Sequence, residues 1–283
     1  MKTYSRFSAA LSSLSNEMRD RAQLIHTEKW QSVDISTNPQ AAMVELTNVT
    51  FSVPLGSEDL DTYRAEIKPN LPWADDHFET ERVNRRPLNP GDTYRYWPWA
   101  SSAEKFRTAD QQFSHTYAER FWPKHAGPTF SPDGNITGHS YQPHRGVRYP
   151  YGDLQDVAKL LGREPYTRQA YLPIWFPEDT GVVHGARVPC TLGYHFLMRD
   201  NMLNVFYPIR SCDFARHLRD DLYLTVRLTL WMLSQCRTQN PKIFDSVQPG
   251  LLSFWAGSLH MFVADYQRLY KRNPLAPSRV NRG

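Results

Sequence analysis

Two strand-like runs joined by a short polar turn constrain the fold of this chain more than any other feature. Residues 191–198 and 202–209 are rich in aromatic and β-branched residues, and the polar residues 199–201 lie between them. This pattern predicts a β-hairpin. A strongly apolar stretch follows at residues 219–236 with leucines at helical spacing, which predicts a buried helix. Strands and helices in this mixed order indicate an α+β fold.

The remaining elements are predicted from periodicity and from helix-ending residues. The pattern predicts helices over residues 6–28, 153–162 and 256–272, and strands over residues 43–53, with a bulge after Asn48, and 168–175. Residues 54–153 are rich in Pro, Gly and aromatic residues and are predicted to form long ordered loops with short elements. No internal repeat or low-complexity linker interrupts the chain, so residues 1–283 are predicted to form a single domain.

Composition narrows the class of protein. A formal net charge of +4 suits an anionic small molecule and gives no reason to expect a nucleic-acid partner. Three cysteines without a CxxC motif argue against a disulfide framework and against a zinc site, so no metal is expected. The N-terminus lacks an apolar signal region, and no run of eighteen apolar residues exists. These features predict a cytoplasmic protein without a membrane partner.

Polar groups with chemical potential lie at the ends of the two hairpin strands. Cys190 precedes the first strand, and Arg210, Ser211 and Asp213 end the second. A lone cysteine in such a place is most often a small buried hydrophobe. A nearby cation would instead lower its pKa and make it a nucleophile. The sequence around Cys190 decides between these two readings.

The combination of motifs resembles the thymidylate synthase superfamily, which includes the pyrimidine-nucleotide hydroxymethylases. The family pattern is an arginine before a strand that ends in Trp, then Pro-Cys, a hairpin, Arg-Ser-x-Asp, a long buried helix and Gly-x-x-His. Here it is matched by Thr167-Arg168, Trp175, Pro189-Cys190, Arg210 to Asp213, residues 219–236, and Gly257 to His260. The resemblance covers the C-terminal half. In the divergent N-terminal half, residues 113–122 stand for the family's Tyr-Gly-x-x-Trp element, with Tyr117 as its tyrosine.

The resemblance implies a fold and a chemistry. The fold would be a mixed sheet packed by helices that pairs sheet to sheet in a homodimer. The Cys190 thiolate would add to C6 of a pyrimidine nucleotide, and C5 would then attack a one-carbon unit carried by 5,10-methylenetetrahydrofolate. Arg210 would activate the thiol and bind the phosphate together with Ser211. Arg168 would reach the phosphate of the neighbouring subunit's site.

The resemblance also implies roles for further residues. Asp213 and Trp99 would contact the folate, Tyr117 would be a catalytic residue, and His260 would bind the sugar. The alternative for His260, on its predicted helix, is an ordinary core histidine. An acidic residue of the segment 73–83 would relay protons near the base, with Asp76 and Glu79 as candidates.

One departure from the family pattern, at Asp221, bears on which base the site would bind. Asp221 stands eleven residues after Arg210, where uracil-specific members carry an asparagine. Cytosine presents an N3 acceptor and an N4 amino donor, which a carboxyl group pairs with when it is protonated or when N3 is protonated. The alternative is that Asp221 caps the helix that begins nearby. The first reading favours a cytidine monophosphate.

Further departures bear on the sugar and on the product. Gln169 and Phe262 replace a second phosphate arginine and a sugar-binding tyrosine of many members, which leaves ribose and deoxyribose open, with dCMP favoured. The chain ends at Gly283 without the family's long apolar tail, so water is expected to reach the intermediate.

These features predict a bacteriophage-type enzyme that makes 5-hydroxymethyl-dCMP for a modified DNA base, in the cytoplasm of the bacterial host. The alternatives are a CMP 5-hydroxymethylase, a methylase that forms 5-methyl-dCMP or dTMP, and an inactive nucleotide-binding homologue.

Overall fold

The computed structural model describes residues 1–25, 28–30, 33–109, 111–126, 129–130, 136–138, 152–182 and 187–275. Its strands are β1 (Lys2–Thr3), β2 (Gln23–Ile25), β3 (Lys29–Trp30), β4 (Val33–Asp34), β5 (Met43–Pro54), β6 (Thr129–Phe130), β7 (Ile136–Gly138), β8 (Tyr171–Pro173), β9 (Gly193–Arg199), β10 (Met202–Asp213) and β11 (Gln248–Phe262). Its α-helices are α1 (Phe7–Arg21), α2 (Leu60–Ile67), α3 (Trp73–His77), α4 (Ala100–Ala103), α5 (Tyr117–Phe121), α6 (Leu154–Arg163), α7 (Leu218–Gln239), α8 (Pro241–Phe244) and α9 (Val263–Tyr270).

A mixed sheet of seven strands organises the molecule. Its order is β1-β5-β11-β10-β9-β8, with β2 paired to β5. Strands β10 and β11 are parallel, whereas β11–β5, β10–β9 and β9–β8 are antiparallel. The predicted α+β arrangement is therefore confirmed, and so is the hairpin around residues 199–201.

Helix α7 covers one face of this sheet, as its apolar composition predicts. Most of its side chains are buried, including Leu222, Val226 and Leu233. On the sheet side, Tyr194 and Tyr207 stack with ring centroids 4.9 Å apart, and Phe254 meets Tyr207 edge to face at 5.8 Å. Fully buried aromatic rings of this kind are worth about 3–5 kcal/mol each on truncation to alanine, so this layer fixes the positions of the strand ends.

The prediction of a helix over residues 256–272 is wrong for its first seven residues, up to Phe262. Residues 248–262 form strand β11, and only Val263–Tyr270 is helical. The buried residues Leu252, Phe254 and Ala256 alternate along β11, which is strand periodicity. Strands β5 and β10 bond to β11 on both sides, so its backbone groups gain partners that a local pattern does not reveal.

Two other element boundaries and one predicted bulge differ from prediction. The first helix ends at Arg21, and strand β2 follows. The strand predicted over residues 168–175 is limited to Tyr171–Pro173. The bulge predicted after Asn48 is absent, because β5 and β11 keep one register on both sides of it. Asn48 instead adopts a left-handed φ of 53°, which a short polar side chain tolerates.

Candidate active site

A cavity of about 490 Å³ opens where β10 and β11 end. These parallel strands run side by side, so Ser211 pairs with Ser258 and Asp213 pairs with His260. The segment from Trp73 to Tyr117 forms the opposite wall. The cavity brings together eight of the predicted site residues, which are Trp99, Tyr117, Cys190, Arg210, Ser211, Asp213, Asp221 and His260.

Cys190 lies beside the Arg210 guanidinium. The distance from Arg210 Nη2 to Cys190 Sγ is 3.9 Å. Arg210 is held there by its own donors, because Nε donates to the Pro189 carbonyl at 2.9 Å and Nη2 donates to the Val188 carbonyl at 3.1 Å. Burial raises the pKa of the Cys190 thiol, and the positive charges of Arg210 and Arg187 oppose that rise. Without a ligand the thiol is therefore protonated at neutral pH.

Asp221 is enclosed at the inner end of the cavity. Burial raises the pKa of its carboxyl to about 7, although the charge of Arg82 acts in the opposite direction. The Cys212 thiol donates to Asp221 Oδ2 at 3.6 Å. Helix α7 has His217 at its N-cap position and no side-chain cap, so the alternative of a helix-capping Asp221 is wrong. The carboxyl is consequently available for a ligand.

Ser211 and His260 face the cavity from adjacent strands. Their Oγ and Nδ1 atoms are 3.3 Å apart. Burial lowers the pKa of His260 to about 4, and the charges of Arg210 and Arg216 lower it further. His260 is therefore neutral at physiological pH. Because it lies on a strand and not on the predicted helix, its ring projects from the sheet into the cavity.

Tyr117 lines the cavity together with Cys190 and Asp221. Its hydroxyl accepts a hydrogen bond from the Thr191 backbone N–H at 3.4 Å. The Arg82 guanidinium sits 4.8 Å from the centroid of its ring. Burial, with Cys190 and Asp221 nearby, raises the pKa of this phenol. Tyr117 is thus a neutral hydroxyl at the centre of the site.

The acidic residues of segment 73–83 differ in whether they line the cavity. Asp76 accepts from the Tyr96 hydroxyl at 2.9 Å, and Glu79 pairs with Arg227 at 2.7 Å. Neither lines the cavity. Glu81, which the sequence analysis did not single out, does line it.

Glu81 is firmly held. It contacts His77 Nδ1 at 2.9 Å and accepts from the Thr93 N–H and hydroxyl, both at 2.8 Å. Burial acts to raise the pKa of Glu81, but the hydrogen bonds from His77 and Thr93 outweigh it and hold the pKa below its ordinary value. His77 and Glu81 are four residues apart, a spacing that places two side chains on one face of a helix and was the available sequence signal.

Stacked aromatic rings form the wall opposite the sheet. Trp73 stacks on His77 at 4.9 Å, and Trp97 stacks on His217 at 5.6 Å. Trp99 donates from Nε1 to the Arg216 carbonyl at 3.0 Å. The indole N–H groups of Trp73 and Trp97 are buried and have no partner among the described residues. Such unpaired donors are costly. The Trp73 and Trp97 rings that carry them line the cavity and give it a flat aromatic wall.

Asp213 lies where this wall meets the strand ends. Its carboxylate accepts from the backbone N–H groups of Ala215 and Arg216 at 2.9 and 3.0 Å. Burial raises the pKa of Asp213 to about 6, against the charge of Arg216. The side chain is therefore fixed by its own loop, with its remaining acceptor capacity beside the cavity.

Arg168 is the other predicted residue that does not line the cavity. It is exposed, and its carbonyl oxygen contacts His195 Nε2 at 3.0 Å. A role in a neighbouring subunit's site stays a prediction.

The fold was compared with known proteins. It is similar to a thermostable thymidylate synthase A from Bacillus subtilis, with a TM-score of 0.61 and 12% sequence identity, covering 91% of this chain and 80% of the other. The chain has the thymidylate synthase fold. At this identity the likeness extends to the fold alone. No family model matches the sequence, and no curated protein matches it.

Two further observations concern metal ions and membranes. Within the described ranges, no three or more His, Cys, Asp or Glu side chains are grouped to hold a metal ion. No helix of the described chain is long and apolar enough to cross a membrane. The site that remains combines a thiol beside a cation, a titratable carboxyl and an aromatic wall, which suits nucleophilic addition to a flat polar substrate.

Proposed function

We propose that the protein transfers a one-carbon unit from 5,10-methylenetetrahydrofolate to C5 of dCMP and forms 5-hydroxymethyl-dCMP. The observation that carries this proposal is the placement of Cys190 and Asp221 in one cavity, with Arg210 Nη2 at 3.9 Å from the thiol. A thiol beside a cation is a nucleophile, and a buried carboxyl with a pKa of about 7 selects among base edges.

Cys190 attacks C6 of the pyrimidine ring. The sulfur–carbon bond forms as the C5=C6 double bond opens, and its electrons move to C5 and, through the conjugated C4=N3 bond, towards N3. Arg210 stabilises the negative charge that develops on the sulfur as the thiol loses its proton. C5 then attacks the one-carbon unit of the co-substrate. Loss of the C5 proton and of tetrahydrofolate leaves an exocyclic methylene at C5. Water adds to this methylene, and the bond between Cys190 and C6 breaks as the C5=C6 double bond forms again.

Asp221 reads the base edge. When protonated, it donates to N3 of cytosine and accepts from the N4 amino group. Its pKa of about 7 means that both forms are populated near neutral pH. Uracil reverses the donor and the acceptor of this edge, so it pairs with the protonated carboxyl only when the hydroxyl and carbonyl oxygens exchange places. The hydrogen bond from the Cys212 thiol to Oδ2 opposes this exchange. A buried mismatch costs about 1–3 kcal/mol per unpaired group.

Glu81 replaces Asp76 as the proposed proton relay. It is the carboxylate of segment 73–83 that lines the cavity, and His77 holds it in place. A fixed carboxylate within reach of the base can take and return a proton through one water molecule. Removal of the C5 proton is the step that this group would serve.

The aromatic wall fits the flat pterin ring of the co-substrate. Trp73 and Trp97 line this wall, and Asp213 offers acceptor oxygens beside it. An aromatic ring stacks favourably on a flat heterocycle. These residues would hold the co-substrate against the base.

A homodimer through the open face of the sheet is part of the proposal. Helix α7 covers one face, and the other carries Phe206 and Tyr171, which are 39% and 40% exposed. Exposed apolar groups on a broad sheet favour association with a second copy. Arg168 lies near this face, because its carbonyl contacts His195, which pairs with both Tyr171 and Phe206.

Tritium release tests the reaction. The protein is incubated with methylenetetrahydrofolate and dCMP, CMP or dUMP labelled with tritium at C5, beside the Cys190→Ser variant. We expect release from dCMP that the variant abolishes, and mass spectrometry should show a hydroxymethyl product. Release from dUMP alone would refute the reading of Asp221. A methylated product with dihydrofolate would instead identify a methylase.

A further inference from the structure

We propose that Arg187 is a second cationic ligand for the substrate phosphate, so that two arginines of one chain, Arg187 and Arg210, bind it. This inference rests on the proposed function because it assigns the phosphate subsite of the same cavity. It adds a residue three positions before Cys190 that the sequence motifs do not include.

Arg187 is fixed at the edge of the cavity by its backbone. Its carbonyl accepts from the Ser114 hydroxyl at 2.8 Å, and His115 also hydrogen-bonds to its backbone. Its guanidinium lies 4.9 Å from the ring centroid of Phe106 and 6.0 Å from that of Phe113. These aromatic rings support the flat side chain and direct it along the cavity wall.

Every carboxylate of the cavity has another partner. The pairs are Glu45 with Ser258, Glu81 with His77, Asp213 with Arg216, Asp220 with Asn70, and Asp221 with Cys212. Among the described residues, none forms an ion pair with Arg187 or Arg210. The cavity therefore holds Arg187 and Arg210 without a counter-ion among the described residues. Within the same ranges, Arg82 also lines it without an ion pair, but its guanidinium donates to His77 and Tyr194.

Two such cations raise the energy of the ligand-free site. Burial lowers the pKa of Arg187, and the charge of Arg210 lowers it further, while Cys190 and Tyr117 act in the opposite direction. Like charges that converge in a partly buried site repel each other, and an anion between them removes that repulsion. A phosphate dianion fits best, because each guanidinium can bind two of its oxygens.

The position of Arg168 supports the same assignment. Arg168 is exposed and does not line the cavity of its own chain. Gln169 follows it where a second arginine would add charge. Arg187 therefore supplies, within one chain, a positive charge that the segment around residue 168 does not bring to this cavity.

Protection of Cys190 from alkylation tests the proposal without requiring catalysis. The rate of modification of Cys190 by iodoacetamide is followed by peptide mass spectrometry while inorganic phosphate is titrated. We compare wild type with Arg187→Gln, Arg187→Lys and the control Arg163→Gln. Arg163 is exposed and outside the cavity, so its variant matches the change in net charge.

We expect phosphate to protect the wild type and Arg163→Gln equally. Arg187→Gln should need about 10- to 100-fold more phosphate for half protection, since a hydrogen bond to a charged group is worth about 1.5–3 kcal/mol. Arg187→Lys keeps the charge and loses bidentate binding, so it should fall between them. Circular dichroism melting checks that the variants fold.

Two results would overturn the inference. In the first, both Arg187 variants are protected at the wild-type phosphate concentration, even if their alkylation without phosphate is slower. In the second, phosphate gives no protection that depends on Arg187, whereas p-aminobenzoylglutamate, the anionic tail of the folate co-substrate, does. Because no turnover is needed, loss of the proposed reaction and loss of this subsite are separate outcomes.

Discussion

The protonation of Asp221 should set the preference for cytosine over uracil. The burial that raises its pKa to about 7 keeps the carboxyl largely protonated at pH 6 and largely ionised at pH 8. The protonated form donates to N3 of cytosine. The ionised form faces the lone pair of that nitrogen, so cytosine loses a hydrogen bond. Uracil brings its own N3 proton, which an ionised carboxylate accepts.

The magnitude follows from the titration. A group whose favourable form is protonated loses that form about tenfold per pH unit above its pKa. The cost of mispairing, about 1–3 kcal/mol, limits the total effect. The ratio of the dUMP and dCMP dissociation constants should therefore be constant below about pH 6 and fall roughly 10- to 100-fold by pH 9.

The assay uses binding and not turnover, because Cys190 also titrates. Dissociation constants of dCMP and dUMP are measured by calorimetry in Cys190→Ser and in Cys190→Ser combined with Asp221→Asn. The phosphate titrates equally in both nucleotides, so its contribution cancels in the ratio. The amide that Asp221→Asn introduces does not titrate, so we expect a flat ratio in the double variant that is shifted towards dUMP. A pH dependence that persists after Asp221→Asn would refute the reasoning.

Three further predictions concern the proton relay, the core and the sheet face. Glu81→Gln should abolish tritium release from dCMP while nucleotide binding persists, whereas Asp76→Asn should leave release unchanged. Asp179→Ala leaves a buried guanidinium unpaired and should cost about 3–5 kcal/mol in guanidinium chloride unfolding. Glu164→Ala removes an exposed pair and should cost at most about 1 kcal/mol. Phe206→Glu should convert the proposed dimer to monomer in sedimentation; an unchanged mass would contradict association through this face.

The strand-end part of the site was predictable because its residues follow regular elements. Cys190 and Arg210 flank a hairpin whose register is fixed by the alternation of buried residues along β9 and β10. Asp221 lies in the first turn of a long apolar helix that directly follows. Local patterns of this kind determine both the element and the direction of its last side chains.

The opposite wall could not be predicted in the same way. Residues 54–153 carry no sustained periodicity, and their short helices, such as α3 and α5, depend on tertiary contacts. Glu81 reaches the cavity from a single π-helical turn over Phe78–Arg82, whereas a regular helix read from Asp76 directs attention to a carboxylate that does not line the cavity. The error at His260 has a related cause. Helical spacing is also matched by Leu259, Phe262, Val263 and Tyr266. The residues up to Phe262 form a strand because they pair with two neighbouring strands.

The effect of Arg187 and Arg210 on the pKa of Cys190 should depend on whether phosphate is bound. In the ligand-free cavity, Arg187 and Arg210 both oppose the rise in the thiol pKa that burial causes. A phosphate bound between them neutralises the charge that favours the thiolate, so the pKa of Cys190 should rise when phosphate binds. The thiolate absorbance should accordingly titrate at higher pH with phosphate than without it. A downward shift, or none, would mean that these arginines do not bind the anion. An upward shift would mean that the thiol must lose its proton during attack on C6, with a neighbouring group as the acceptor, and not before substrate arrives.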